Sequence, residues 1–101
     1  MTTFTAPKFP CGVLLATPGA SEAFERNRQS ILDFVKRHLL GDWGEELCDE
    51  DRASNDQSLL NGSRLLSAYR LKDHTKIWLI TEAADERGRR EATTALLPSE
   101  Y

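Results

Sequence analysis

The sequence predicts an α+β fold, with N-terminal helices packed on one face of a small antiparallel sheet. Three observations carry this. Apolar residues in the first half recur at helical spacing, as at Ile31, Phe34, Val35 and Leu39. After residue 63 the pattern changes to short alternating and β-branched runs. Breakers at Pro10, Pro18, Gly41, Gly62 and Pro98 divide the chain into pieces of single-element length.

Residues 1–10, with Pro7 and Pro10, read as an extended arm, and residues 11–101 as one domain. The apolar run 11–17 lies between two prolines and suits a buried strand able to join the sheet at its edge. Thr17 before Pro18 is a helix start, an N-cap with proline at the first helical position, and a helix follows to about Asn27. Ser30 with Asp33 three residues later restarts the helical pattern, so two helices are expected across 18–40, with Gly41 closing the second. Residues 46–61 form a third helix, stopped by Asn61-Gly62, with a sparse buried stripe of Leu47, Cys48, Ala53, Leu59 and Leu60. Residues 64–71 and 76–81 form a hairpin around the turn 72–75. A charged loop over 83–90 leads to a third strand, 93–97, which Pro98 ends.

Composition excludes several classes. With 40% apolar and 29% charged residues, the 101-residue chain matches an ordinary soluble globular domain. No apolar run reaches the roughly 18 residues of a membrane span, and the first eight residues lack the build of a signal peptide. Cys11 and Cys48 have no partner at metal spacing and read as buried thiols of a reducing, cytoplasmic compartment. No sequence pattern calls for a cofactor or a metal. Net charge −3 argues against a general nucleic-acid binder. That charge is segregated: residues 42–56 hold seven carboxylates against Arg52 alone.

Two function classes follow. The first is a binding protein without catalysis, whose contacts come from Asp42, Trp43, Glu45, Glu46, Asp49, Glu50 and Asp51. These would face a protein partner, a basic one fitting the acidic block best. The plainer role of those carboxylates is to favour a helix start through its dipole. Trp43, between two glycines, has plugging the core as its plainer role. The second class is a metal-independent ribonuclease. His38 would be its base, Arg64 its phosphate stabiliser, and Ser67, Tyr69 or Thr81 would assist. Here the plainer role of His38 is to complement a helix C-terminus and bond a carbonyl. The cluster Arg87-Gly88-Arg89-Arg90 reads as a solvated loop, and His74 as a solvated turn residue.

Several blocks occur together in order: Thr17-Pro18-Gly19-Ala20, Arg37-His38 with Gly41-Asp42-Trp43-Gly44, Arg64 to Tyr69, Lys76 to Glu82, and Thr93 to Tyr101. In this the chain resembles a family of small plasmid- and prophage-borne proteins of about this length, over most of residues 11–101. The resemblance implies residence on a mobile genetic element and no particular activity. The stretch from Ala84 to Glu91 is longer and more charged than the family's pattern. A second resemblance, at the level of fold only, is to small ribonucleases of the barnase and RelE kind.

Overall fold

The computed structural model describes residues 6–101, in the order β1 (Val13–Ala16), α1 (Pro18–Asn27), α2 (Ile31–Leu39), α3 (Asp49–Asn61), β2 (Leu65–Arg70), β3 (Lys76–Thr81), β4 (Ala92–Leu96) and a final 3-10 turn, Pro98–Glu100. The fold is α+β. The four strands lie in the order β1-β4-β3-β2. The hairpin and the third strand pair antiparallel, as expected. β1 joins the edge beside β4 in parallel, so the sheet is mixed. The long route from β1 to β4 through three helices permits that parallel crossover.

Local chemistry sets the helix ends. The Thr17 hydroxyl accepts from the Ala20 N–H, with Pro18 in the first turn. Ser30 caps α2 by accepting from the Leu32 N–H. Arg28, in the left-handed region at φ 52°, separates the two helices. Gly62, also left-handed, closes α3.

α1 and α2 cover one sheet face. Ala20, Ala23, Phe24, Phe34 and Val35 pack on Tyr69, Ile77, Leu79 and Ala95. Burying Phe24, Phe34, Val35, Ile77 and Leu79 stabilises by roughly 1.5–3 kcal/mol each, and each alanine by less. The arm contributes to the core as well. The Lys8 N–H donates to the Leu39 carbonyl, and Phe9 is buried beside Trp43. Residues 1–5 of the expected arm lie outside the described residues.

Three expectations change. β1 is an exposed edge rather than a buried strand, with Val13 61% and Leu15 49% accessible. Its apolar run spends its neighbours on one side only, since β4 covers a single edge. The buried stripe of α3 is polar, comprising Asn55 and Ser58, while Leu60 points to solvent. This helix lies along the β2 edge, where hydrogen-bonding groups are needed more than apolar area. Cys48 is exposed at the N-cap of α3, and Cys11 is half-buried; both thiols are free.

Candidate functional site

The hydroxyl and imidazole residues singled out in the sequence do meet, but inside the protein. His38 is on α2, Ser67 on β2 and Thr81 on β3, and each is fully buried. Ser67 and Thr81 stand on the helix-covered face because register pairs Ser67 with Leu79 and Thr81 with both Leu65 and Thr93. His38 Nδ1 lies 2.5 Å from Ser67 Oγ, and Nε2 lies 2.8 Å from Thr81 Oγ1. Thr81 Oγ1 is 2.7 Å from Thr93 Oγ1, and the Thr93 hydroxyl donates to the Cys11 carbonyl at 2.8 Å.

The last bond orients the whole chain. Thr93 donates to Cys11, so it accepts from Thr81. Thr81 therefore accepts from Nε2–H of a neutral His38, and Nδ1 accepts from Ser67. Every donor has one acceptor, and no buried side-chain polar atom among the described residues lacks a partner. Phe9 and Trp43 close over the ring at centroid distances of 5.0 and 5.8 Å. Burial, with the nearby charge of Arg90, pushes the His38 pKa down to about 3. A Ser–His pair of this spacing resembles an activated nucleophile, yet no substrate reaches it. The helix-end role expected for His38 is also replaced, because the neutral ring bonds hydroxyls rather than a carbonyl.

Arg64 does not join this set. It is exposed and donates to the Tyr101 hydroxyl at 2.7 Å, and Tyr101 packs against Trp78 on the opposite sheet face. Tyr69 is buried. Its hydroxyl donates to the Asp42 carbonyl at 2.6 Å, and burial raises its pKa. Of the five residues of the nuclease reading, His38, Ser67 and Thr81 thus form a sealed chain, Tyr69 is buried with a different partner, and Arg64 alone is on the surface.

The acidic segment also divides. Arg37 lies over the Tyr69 ring at 4.5 Å and donates to Asp42 at 2.7 Å and to Glu45 at 2.9 Å. The Arg37 guanidinium holds the Asp42 carboxyl below its usual range, and Asp42 also accepts from the Gly44 N–H. Glu46 pairs with Arg70 at 2.6 Å. These three carboxylates are committed within the chain. Asp49, Glu50 and Asp51 are exposed in the first turn of α3, where the helix dipole favours them. Trp43, only 4% exposed, plugs the core, and its indole N–H donates to Asp56 at 3.2 Å.

Beneath this segment each outward-facing residue of the β2 edge is covered. The Asn55 amide donates to the Leu66 carbonyl and accepts from the Leu66 N–H, at 2.6 and 3.0 Å. The Ala68 N–H donates to the Trp43 carbonyl, the Ala68 carbonyl accepts from Glu46, and the Arg70 N–H donates to Glu45 Oε1. Gly44 makes this close approach possible: its φ is +93°, and a Cβ there would overlap the Ala68 carbonyl.

The roles of two residues differ from what their local sequence suggests. Asn55, a polar residue suited to capping or loop hydrogen bonding, instead bonds a strand edge from mid-helix. Arg90 looked solvated among charged neighbours, yet it is 6% exposed. It donates to the carbonyls of Ser63, Glu82 and Ser58 and lies 5.7 Å from the Phe9 ring centroid. It therefore complements the C-terminal end of α3. Arg87 and Arg89 are exposed, as expected of the loop. The helix period of Asn55 and the switch to a β pattern after Arg90 were the available signals.

Among the described residues no helix is long and apolar enough to cross a membrane, and no group of three His, Cys, Asp or Glu is placed to hold a metal. No family model matches this chain, and no curated protein or solved structure does either.

Proposed function

We propose that this chain acts by binding another protein, as a cytoplasmic product of a mobile element that modulates a host or plasmid factor. The observation that carries the reading is the second sheet face, which α1 and α2 do not cover and on which Ala68, Ile80 and Leu96 are buried beside partly exposed neighbours. On it Leu66, Trp78 and Thr94 remain half-exposed, with Tyr101 and Arg64 beside Trp78. Half-exposed aromatics beside an arginine are the residue types that anchor protein interfaces. The uncommitted carboxylates Asp49, Glu50 and Asp51 stand on α3 at the β2 side of this face, where they steer a basic partner. The sealed His38 network supports a structural role for the residues that a nuclease would need in the open.

The test is capture from host lysate with tagged wild type, Trp78→Glu, and a triple reversal of Asp49, Glu50 and Asp51 to Lys. A stoichiometric protein is expected with wild type. It should be lost with Trp78→Glu and weakened at low salt by the reversal. Cleavage of total RNA by wild type that disappears in His38→Ala would overturn the reading.

A further inference from the structure

The free edge of the sheet goes beyond the docking face just described. In β1 the Val13 N–H donates to the Glu91 carbonyl and the Thr17 N–H to the Ala95 carbonyl, so odd-numbered residues face β4. The N–H and C=O groups of Leu14 and Ala16 therefore point away from the sheet, and among the described residues nothing bonds to them. Natural edges are blunted by charge, proline, bulges or covering groups. Among the described residues β1 has none of these along its four positions, whereas β2 has a covering group at each outward position.

We propose that β1 is the site at which a second copy of this chain docks, edge to edge and antiparallel about a two-fold axis, giving one continuous eight-stranded sheet. Three observations select a second copy as the occupant. First, residues 9–20 contain no charged side chain, so the edge meets itself without repulsion. Second, the acidic segment lies along β2, the opposite edge of the sheet, so pairing through β1 sets the two acidic blocks at the far ends of the dimer. Glu100, at the end of β1, is turned back onto its own chain by the Thr17 hydroxyl and the Gly19 and Leu97 N–H groups.

Third, the strand is self-complementary in one register. Leu14 and Ala16 are the two outward residues of β1, and pairing each with the other's copy uses all their groups in four hydrogen bonds. That register places Leu15 opposite Leu15 on the axis, at a non-hydrogen-bonded position where side chains approach most closely. The exposed Val13 then faces Thr17 of the second copy. A shift that centres Leu14 would recruit Gly12, whose φ of +66° is outside the strand region. The contact is small, so the dimer should be weak and reversible, with a Kd on the order of 10 μM.

Sedimentation across concentrations spanning that value tests the proposal on the whole chain. Wild type should convert from monomer to dimer. Leu15→Lys sets two like charges across the axis, and Ala16→Pro removes an outward N–H without touching the β1–β4 bonds. Each should raise the Kd at least tenfold while keeping the wild-type circular dichroism. In a Cys48→Ser background, Leu15→Cys should form an interchain disulfide on mild oxidation and Val13→Cys should not. A wild type that stays monomeric, a dimer that survives Leu15→Lys, or equal cross-linking at positions 13 and 15 would overturn the proposal. Leu15→Lys should still capture any protein lost by Trp78→Glu, so the two proposals fail separately.

Discussion

Along β2, the outward-facing groups of Leu66 and Ala68 and the Arg70 N–H find partners in Asn55, the 43–46 segment and Glu45. Along β1, those of Leu14 and Ala16 meet no described residue. Both strands present the same backbone chemistry. The β2 edge is closed with polar side chains, a glycine-dependent close approach and the ion pairs around Arg37. The β1 edge keeps only apolar side chains and its backbone groups. The difference teaches that residues 43–46 and Asn55 form a lid on a sheet edge, to which the acidic segment lends one carboxylate, that of Glu45, as a direct acceptor.

Acid attacks the side of the sheet behind the closed edge. Unfolded, His38 takes up a proton near pH 6.5, but folded it does so only near pH 3. The unfolded state therefore binds more protons between those values. Stability is complete above pH 6.5 and falls as the pH drops toward 3, by about 4 kcal/mol. Denaturant melts at a series of pH values should show this slope for wild type and a shallower one for His38→Gln.

Gly44→Ala should open the β2 edge directly. The added methyl group meets the Ala68 carbonyl from a left-handed backbone, and a loss of about 3 kcal/mol or more is expected in chemical denaturation. Asn55→Ala removes the partner of both Leu66 groups and should cost about 2 kcal/mol. It should also make β2 resemble β1, so association read by light scattering should rise in the variant. Val13→Lys on the open edge should change monomer stability by no more than about 0.5 kcal/mol, measured by thermal melting at low concentration. An effect as large as that of Asn55→Ala would show that the two edges are not different in kind.

Much of this arrangement was legible from the sequence. The caps at Thr17 and Ser30, the stop at Gly62, the division of 18–40 into two helices and the strand 76–81 follow from local chemistry, and local chemistry decided them. The parallel placement of β1 was not legible, because an apolar run does not record which strand it will join or how many sides will be covered. The buried network was legible only as types. His38, Ser67 and Thr81 were noted as a constellation, but their burial depends on Phe9 and Trp43 folding over them from distant segments. Thr93, which fixes the direction of every proton in that chain of bonds, had no local mark at all. Asn55 and Arg90 were hidden for the same reason: their partners are backbone groups elsewhere, and sequence patterns describe side chains.

The pairing of β1 with β4 has a consequence for biosynthesis. Among the described residues β1 bonds only to β4, far along the chain, with register partners from Val13–Ala92 to Ala16–Ala95. The Thr17 hydroxyl is held by Glu100, near the end of the described chain. During translation, α1 and α2 can form early, but their apolar faces have no finished sheet to cover until β4 has been made. Until β4 has been made, β1 therefore has no strand partner among the described residues, and both of its edges are unpaired.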